Sequence, residues 1–571
     1  MKDLVVRIGG ESGEGVIATG DLLTTVAARS SLHALNVRTF PAEIRGGPSM
    51  IQVRISHEPL LSQGDEVDIL VAFNEDAVTR YINDLKKGGL VLLDGIPGQE
   101  ISPREGRDVV HVPMSRIAKE ELKSPLAKNL VALGVMVGLL GLKREGVLTL
   151  IKDKFKRRPE LQAANATAVE AGIAQGERLA SRIDFQPPAT EGAKMAVLSG
   201  NEAIGVGSLA AGMRFFAGYP ITPATDIMEW LAGELPKCGG TMVQVEDEIA
   251  ALNFVLGAFY AGTRSMTATS GPGLSLMIEA IGLAGMAEVP AVVVDVQRGG
   301  PSTGMPTKTE QSDLTLAAAA SHGEPPVAVL APTDIADTPH LMTQAFELAE
   351  VYQIPVIVLT DQSIGFRRQT VDAERLEHLP LQSGRMGPLA HQAPFHRYTF
   401  SSDGVSPRAV PGDPGGVHTA TGLEHTTTGK PTFEPKDRVA MVQKRFLKLD
   451  HIARDFGPKT LVLEGDEDAE IAVLGWGATY GAVQEAVDQV RREGRKVRLV
   501  YFKMLRPLPA ETGEILGRYR RLLIVENNAT GQLFQLLRAN HDIHPARLAR
   551  FDGTPFTPAS VRAGIMEVLK S

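Results

Sequence analysis

The chain has 571 residues, of which 43% are hydrophobic and 22% are charged, and its formal net charge is -8. This length is too great for one hydrophobic core and predicts several domains, while the composition is that of an ordinary globular protein. The acidic balance gives no electrostatic reason to expect nucleic acid or an anionic membrane as a partner. A single cysteine, Cys238, excludes an intrachain disulfide and an iron–sulfur cluster held by four thiolates of this chain.

The first predicted unit covers residues 1–185 and has an α/β pattern. Residues 4–8 read as a strand, a glycine-rich turn follows, and a helix is predicted over 16–28. The chain enters this strand without a signal-peptide pattern, and its longest apolar run, 130–142, is too short to cross a bilayer. We therefore expect a cytoplasmic protein with no membrane partner.

Three further segments follow after a proline-containing linker. Residues 190–366 predict a second α/β unit with parallel strands, because its strands are nearly continuous Val and Ile runs. Residues 367–440 are rich in Pro, Gly, His and Thr and are predicted to be an extended linker that is functional or wraps a partner. Residues 441–571 predict a third α/β unit, so the fold class is multi-domain α/β.

Two glycine clusters lie in the first unit. Gly13 and Gly15 stand between strand and helix, where main-chain N–H groups suit a phosphate, although a turn that packs helix on strand explains them as well. The same loop partly matches a dinucleotide fingerprint, but no acidic residue ends the second predicted strand. Arg45, in the second cluster, is placed either to grip a phosphate or carboxylate or to lie in a solvated turn.

An acidic stretch, 246–248, directly precedes the nearly all-apolar residues 249–262. A helix that is apolar on every side is expected to be buried, so the pattern places a carboxylate at the end of a buried helix. Such a carboxylate either stabilises the helix N-terminus or serves chemistry. Cys238, just upstream, is expected to be partly buried in a glycine-rich turn.

Three more motifs are each ambiguous when taken alone. Pro220, Ile221 and Thr222 belong to a loop that prolines stiffen, Gly271 and Gly273 form a turn after a predicted strand, and Arg298 directly follows a Val-rich strand. Arg298 thus lies at the edge of a sheet where α/β proteins bind ligands. Four histidines, His391, His396, His418 and His425, match no metal-ligand spacing, so no metal site is predicted on this chain.

Together these motifs resemble a known family. The stretches YPITPATD (219–226), VEDEIAALNFVLGAFYAG (245–262), TSGPG (269–273) and QRGGPSTGMPTKTEQSDL (297–314) are similar to the α subunit of the 2-oxoacid:ferredoxin oxidoreductases. GGESGEGV and EIRGGPS resemble the γ domain of that family, fused ahead of α. LGWGATYGAV, LRPLP and VENNATGQL resemble its transketolase C-terminal-like domain. The order of units is most similar to that of the members that use 2-oxoglutarate.

The resemblance implies a pyrimidine-type thiamine-diphosphate fold at 190–366 and oxidative decarboxylation of 2-oxoglutarate to succinyl-CoA, with electrons passed to ferredoxin. Glu248 then corresponds to the glutamate that hydrogen-bonds N1′ of the thiamine aminopyrimidine, with Glu246 as the alternative. Arg298 corresponds to the arginine that grips the substrate 1-carboxylate, and Thr222 to a hydroxyl donor near the thiamine and the oxo group. Lys308 is a candidate for a second substrate carboxylate. Cofactor contacts are implied for Pro220, Ile221, Thr222, Gly271 and Gly273, and coenzyme A contacts for Gly13, Gly15 and Arg45.

The sequence lacks the other half of such a site. Thiamine diphosphate needs a Gly-Asp-Gly motif for its metal and diphosphate, and the nearest triplets, at 93–95, 402–404 and 551–553, lack the first glycine. We therefore expect a β subunit that carries the diphosphate, Mg2+ and a [4Fe-4S] cluster, in an α2β2 assembly with the active site between subunits. The alternatives are a related pyruvate or branched-chain 2-oxoacid enzyme, a nucleotide-binding dehydrogenase, and a non-catalytic scaffold subunit.

Overall fold

The computed structural model describes residues 3–39, 47–95, 107–188, 192–382 and 395–570. Its strands are β1 Asp3–Glu11, β2 His33–Thr39, β3 Pro48–Ser56, β4 Val67–Ala72, β5 Leu85–Asp94, β6 Asp108–Val112, β7 Met195–Ser199, β8 Phe215–Gly218, β9 Thr241–Gln244, β10 Ser265–Thr269, β11 Ala291–Gln297, β12 Ala328–Leu330, β13 Pro355–Asp361, β14 Arg368–Asp372, β15 Leu461–Glu464, β16 Ile471–Trp476, β17 Val497–Phe502, β18 Met504–Arg506, β19 Arg521–Glu526 and β20 Ala546–Ala549.

The helices alternate with these strands along most of the chain. They are α1 Val16–Arg29, α2 Glu75–Tyr81, α3 Met114–Arg116, α4 Lys128–Leu139, α5 Arg144–Lys154, α6 Pro159–Glu177, α7 Gly200–Ala210, α8 Thr225–Glu234, α9 Glu248–Tyr260, α10 Gly271–Ala287, α11 Leu314–Ala319, α12 Thr338–Tyr352, α13 Gln362–Phe366, α14 Ala373–Glu377, α15 Pro435–Asp455, α16 Tyr480–Arg492, α17 Thr512–Gly517, α18 Gln532–Asn540 and α19 Pro558–Lys570.

The chain forms two compact units, one of residues 1–199 and 366–377 and one of residues 200–365 and 378–571. In the first unit the sheet has the order β6-β5-β4-β1-β3-β2-β14-β7. β1 is parallel to β4 but antiparallel to β3, and β2 pairs with β3 rather than with β1. A dinucleotide fold places its first two strands side by side and parallel, so this topology does not support the nucleotide-binding alternative.

A pair of glycines, Gly134 and Gly172, lets α4 and α6 pack main chain against main chain in the first unit. A Cβ on Gly134 would lie 2.1 Å from the carbonyl oxygen of Val169, and a Cβ on Gly172 would lie 2.1 Å from that of Val131. Side chains at these positions would force the helices apart. The apolar run that includes α4 is thus the buried centre of this unit.

In the second unit the larger sheet has the order β18-β12-β13-β11-β10-β8-β9. The strands from β12 to β9 are parallel to their neighbours, and β18 joins β12 in antiparallel fashion. A smaller sheet, β15-β17-β16-β19-β20, follows in the chain. One hydrophobic core extends from Ile204 to Ile543 and contains residues of both sheets, so these two parts of the chain form one unit.

The segment between α14 and α15 packs against its own unit where it is described. Arg397 donates from Nη2 to the carbonyl of Glu288, the ring of the buried Tyr398 lies 4.0 Å from that of His425, and Gln353 donates from Nε2 to Ser406. The predicted linker began at 367, but β14 and α14 occupy 368–377 and belong to the first unit. The irregular region therefore starts later than expected.

Two local expectations were wrong. The helix α9 buries Ala251, Leu252 and Val255. It exposes Ile249 and Phe254, so only one side of this apolar helix is buried within the chain. Cys238 is exposed rather than partly buried. In the described part of the chain, no helix is both long and apolar enough to span a membrane.

Candidate active site

Four neighbouring parallel strands end at the same edge of the larger sheet. Their order is β9, β8, β10 and β11, and each is followed by a residue that the sequence analysis singled out. Glu248 follows β9, Thr222 follows β8, Gly271 and Gly273 follow β10, and Arg298 follows β11. Because ligands of α/β proteins bind at the carboxyl ends of the strands, this edge is the candidate active site.

The three acidic residues 246–248 at the start of α9 differ in burial and in hydrogen bonding. Asp247 is the N-cap, and its Oδ1 accepts a hydrogen bond of 2.7 Å from the main-chain N–H of Ala250. Glu246 is exposed, whereas Glu248, the first residue of the helix, is buried. The capping explanation therefore accounts for Asp247, and it leaves the buried carboxylate of Glu248 free for another role.

Gly273 leaves room for the side chain of Glu248. A Cβ at this position would lie 2.6 Å from Oε1 of Glu248 and 2.0 Å from Oγ1 of Thr269. Gly273 also lies in the first turn of α10, whose N-cap, Ser270, is fully buried. The Oγ of Ser270 has no hydrogen-bond partner among the described residues, which leaves a buried donor and acceptor next to this turn.

Arg298 and Thr222 are brought into contact. Nη1 of Arg298 donates a hydrogen bond to the main-chain oxygen of Thr222, while the Thr222 side chain itself is exposed. Arg298 is buried, and its Nε has no partner within the described part of the chain. Pro220 is half-buried in the same loop, and Ile221 packs against the core. The guanidinium is thus held by the loop and keeps capacity to bind an anion.

Lys308 lies on the loop that returns to Arg298. The main-chain N–H of Gly299 donates to the carbonyl of Lys308 at 3.1 Å, which closes the loop beside the end of β11. A Cβ on Gly553 would lie 2.9 Å from Cβ of Lys308. The segment around Gly553 therefore packs against the loop that carries Lys308.

Gln311 fastens the same loop to the smaller sheet. Its main-chain N–H donates to the carbonyl of Asn527 at 2.7 Å, and its Oε1 accepts from the N–H of Asn527 at 3.0 Å. Its Nε2 donates to the carbonyl of Trp476 at 2.7 Å, and its own carbonyl accepts from Nδ2 of Asn528 at 3.0 Å. Gln311 is fully buried, so these bonds are shielded from water.

The aspartates of the three incomplete diphosphate motifs are occupied by local structure. Asp94 accepts from Ser115 and pairs with Lys128, Asp403 accepts from Ser401, and Asp552 accepts from Thr554. These roles are those of turns and ion pairs. In the described residues, no group of three or more His, Cys, Asp or Glu is placed to hold a metal ion.

The glycine loop of the first unit encloses a carboxylate of its own. Oε2 of Glu14 accepts from the main-chain N–H of Glu11 at 2.8 Å, and its Oε1 pairs with Lys128 at 3.0 Å. Gly15 has φ 83° and lies against Asn129, so only glycine fits there. Gly13 has φ 99° and is exposed. Arg45, the third residue expected to contact coenzyme A, lies outside the described residues.

Sequence reasoning overlooked Gln311 and Asp295. Asp295 interrupts the Val-rich strand β11 and is fully buried there. A charged residue in the middle of a buried strand is costly unless it is paired or protonated, and that was the available signal. Gln311 carried no such signal, because its partners are main-chain groups more than 160 residues away.

Three family models match the chain. They are described as pyruvate flavodoxin/ferredoxin oxidoreductase, thiamine diphosphate-binding, at residues 206–444; pyruvate ferredoxin/flavodoxin oxidoreductase at 5–175; and pyruvate:ferredoxin oxidoreductase core domain II at 469–560. The candidate active site lies in the first of these matches.

Whole-chain relatives agree with these matches. The chain is 35% identical to the 2-oxoglutarate oxidoreductase subunit KorA of Mycobacterium tuberculosis, over 97% of this chain and 90% of that protein. It is 30% identical to the 2-oxoacid:ferredoxin oxidoreductase subunit alpha of Saccharolobus solfataricus, over 99% and 97%. A solved 2-oxoglutarate:ferredoxin oxidoreductase from Magnetococcus marinus, with 2-oxoglutarate, coenzyme A and succinyl-CoA bound, is 41% identical with a TM-score of 0.94, over the full length of both chains.

The fold and the matches define a thiamine-diphosphate-dependent oxidoreductase. The chain belongs to the 2-oxoacid:ferredoxin oxidoreductase family. The predicted resemblance and the predicted α/β fold with a thiamine-diphosphate-binding domain are thereby confirmed.

Proposed function

We propose that this chain is the α subunit, fused to a γ-type domain, of an enzyme that decarboxylates 2-oxoglutarate oxidatively to succinyl-CoA and passes the electrons to ferredoxin. The observation that carries the proposal is the common edge of β9, β8, β10 and β11, since Glu248, Thr222 and Arg298 each follow a strand that ends there. The relatives that act on 2-oxoglutarate support the choice of substrate. The reaction is reversible in principle.

The pyrimidine end of thiamine diphosphate fits this edge. Gly273 leaves space beside Glu248, and the buried Oγ of Ser270 lacks a partner among the described residues. When bound, thiamine diphosphate supplies the carbon nucleophile that takes up the 2-oxo carbon and stabilises the charge left as CO2 departs. Glu248 would hold a hydrogen bond to N1′ of the aminopyrimidine, and its burial keeps water from competing for that bond. Pro220, Ile221, Gly271 and Gly273 would line the ring.

The substrate would be gripped by groups on the adjoining loops. The planar, permanently charged guanidinium of Arg298 suits the 1-carboxylate, and the exposed hydroxyl of Thr222 suits the 2-oxo group. Lys308, on the loop closed by Gly299, would bind the distal carboxylate that distinguishes 2-oxoglutarate from pyruvate. The loop therefore offers a cation for each end of a dicarboxylic substrate.

A β subunit would complete the active site on the open side of α9. Ile249 and Phe254 on α9 and Leu276 on α10 are 49%, 50% and 49% exposed, although they lie within a few residues of Glu248 and Gly273. An apolar surface of this kind beside a ligand site is typical of an interface. This subunit would carry the diphosphate, Mg2+ and a [4Fe-4S] cluster, none of which the motifs of this chain provide, in a cytoplasmic α2β2 assembly.

Coenzyme A would be contacted by the first unit, through Gly13, Gly15 and Arg45. The exposed, positive-φ Gly13 supports this placement, because its main chain is accessible to a ligand. The ion pair of Glu14 and Lys128 occupies the deeper part of the same loop. An adenosine or pantetheine group would therefore meet the rim of the loop.

The test uses this chain co-purified with its partner subunit. Glu248→Ala should abolish 2-oxoglutarate-dependent ferredoxin reduction and hydrogen–deuterium exchange at C2 of bound thiamine. Glu246→Ala, at the exposed position two residues earlier, should retain both. Retained exchange in Glu248→Ala would refute the assigned role and favour a scaffold subunit. If pyruvate or a branched-chain 2-oxoacid is turned over more efficiently than 2-oxoglutarate, the substrate assignment is wrong.

A further inference from the structure

The buried carboxyl group of Asp295, next to the candidate active site, has no hydrogen-bond donor among the described residues. Asp295 is the fifth residue of β11, its side chain is fully buried, and its strand neighbours Thr269 and Leu359 are uncharged. Neither carboxyl oxygen of Asp295 accepts a hydrogen bond from an N–H or O–H group of the described residues. An ionised carboxylate in this position would have lost its hydration without compensation.

The polar neighbour of this group is a second carboxyl. Asp313 follows the loop that carries Lys308, and its main-chain N–H donates to Oε1 of Gln297, at the end of β11, at 3.0 Å. Its carboxyl lies against Gly271, where a Cβ would be 2.8 Å from Oδ2, and it contacts the carboxyl of Asp295. The two side chains therefore meet at the N-terminus of α10.

Two ionised carboxylates accept hydrogen bonds but donate none, so they can bond to each other only when one is protonated. Burial raises the pKa of both groups, that of Asp313 to about 6 and that of Asp295 well above its usual range. The geometry and the desolvation thus both favour a pair that holds one proton at neutral pH.

Charged groups from several elements of the described structure lie around the pair. Arg298 follows β11; burial lowers the pKa of its guanidinium, and the neighbouring charges of Asp313 and Asp295 oppose that shift. Glu310 lies on the same loop as Asp313. Asp361, at the end of β13, accepts from the N–H of Ile364, and Glu248 begins α9 across from Gly273. With one shared proton the pair carries a single negative charge, which balances that of Arg298. A second negative charge would compete with an anionic substrate for the guanidinium.

We propose that Asp295 and Asp313 share one proton and that this proton keeps Arg298 available to the carboxylate of the substrate. Both aspartates are positioning residues, since they act through Arg298. The inference rests on the proposed function only for its kinetic consequence. The shared proton itself is a property of the carboxyl pair.

The shared proton predicts that the KM for the 2-oxoacid rises with pH. As pH rises through the pKa at which the pair loses its proton, the added negative charge beside Arg298 should weaken binding of the 2-oxoacid. KM should then rise by up to about tenfold per pH unit, while kcat changes less. Asp295→Asn supplies an N–H donor to Asp313 without a titrating proton, so its KM should be close to that of the wild type near neutrality and flat at higher pH.

The experiment combines infrared spectroscopy with kinetics on the complex of this chain and its partner subunit. The wild-type minus Asp295→Asn difference spectrum at neutral pH should contain the C=O stretch of a protonated carboxyl. The KM profile of Asp295→Asn should lose the rise at high pH, and Asp313→Asn should behave alike. Glu310→Gln, which alters a neighbouring carboxyl outside the pair, should keep the wild-type rise.

Each possible result tests a different statement: the shared proton, its effect on Arg298, or the proposed function. Absence of the protonated carboxyl band would refute the shared proton, whatever the enzyme turns over. A band together with parallel KM profiles in wild type and Asp295→Asn would refute the link to Arg298. Inactivity of the wild-type complex toward every 2-oxoacid would refute the proposed function and leave the infrared result to decide on the proton.

Discussion

Gly273 and Glu248 are packed so closely that no side chain can be added to the glycine. A Cβ would lie 2.6 Å from Oε1 of Glu248, and also 2.0 Å from Oγ1 of Thr269. Gly273→Ala should therefore displace the carboxyl group while the fold is kept. Because a displacement of about 1 Å costs roughly 100-fold in rate, we expect at least that loss in kcat of the assembled enzyme.

Gly233→Ala is the matched control for this substitution. Gly233 lies in α8, and beyond its chain neighbours and the backbone of its own helix no atom of the described residues lies within 4 Å of the position that its Cβ would take. The control should keep full activity and gain up to about 1 kcal/mol of stability, because alanine favours helix. Equal activity of the two alanine variants would contradict the close packing of Glu248 and Gly273.

The sequence predicted the elements that have strong local patterns. The strand predicted over 4–8 lies within β1, Asp3–Glu11, and the helix predicted over 16–28 is observed as α1, Val16–Arg29. β14 was missed because it pairs with β2 and β7, far away in the chain, and five residues carry too little periodicity to reveal it. Such pairing depends on tertiary contacts that local propensity does not contain.

For the candidate site, the sequence could predict only that each candidate residue follows a strand. Glu248, Thr222 and Arg298 lie at one edge of the sheet because the parallel strands that precede them end there. The exposed side of α9 was not predictable, because an apolar helix that faces a partner has the same sequence pattern as one that faces its own core. Asp295 and Asp313 were missed as a pair, since their contact arises from the loop between them.

Lys308→Met should separate dicarboxylic from monocarboxylic substrates. If the ammonium group binds the distal carboxylate, its removal costs about 1.5–3 kcal/mol, or roughly 10- to 150-fold in kcat/KM for 2-oxoglutarate. Turnover of pyruvate, which lacks that carboxylate, should change by less than about threefold. Steady-state kinetics on both substrates measure the difference, and an equal loss for both would show that Lys308 acts on the loop and not on the substrate.

Gln311→Ala should loosen the loop that carries Lys308. The substitution leaves the buried N–H of Asn527 and the carbonyl of Trp476 without their partner, at about 1–3 kcal/mol each. We expect a lower Tm and a raised KM for the 2-oxoacid. Gln535→Ala, an exposed glutamine on α18, is the control and should alter neither. A normal KM in Gln311→Ala would refute the idea that the smaller sheet positions the substrate loop.

Glu288 forms ion pairs with two buried lysines at the end of α10. Its Oε1 lies 2.6 Å from Nζ of Lys444 and its Oε2 lies 2.6 Å from Nζ of Lys448, with all three side chains buried. Glu288→Gln would leave both ammonium groups without a counter-charge and should destabilise the second unit by about 3–5 kcal/mol. Differential scanning calorimetry measures the loss. Glu288→Gln combined with Lys448→Met should recover part of it, and a double variant no more stable than the single would contradict the pairing.

Glu424 should make the second unit sensitive to acid. Burial alone would raise the pKa of Glu424, but hydrogen bonds from Arg445 and Arg438 outweigh it and lower the pKa to about 2. A carboxyl whose pKa is lower in the folded state stabilises above its unfolded pKa of about 4.3, and the contribution is lost as pH falls toward about 2. Glu424 is partly exposed, so water screens the pairs and the contribution should stay near 1 kcal/mol.

Glu424→Gln isolates this contribution, because glutamine does not titrate. Wild type should have the higher Tm at about pH 5, and the difference between the two proteins should vanish as pH approaches about 2. Glu434→Gln, at an exposed position just before α15, is the matched control and should follow the wild-type curve. A Tm difference between wild type and Glu424→Gln that stays constant over this range would mean that the two arginines stabilise through packing and not through the charge of Glu424.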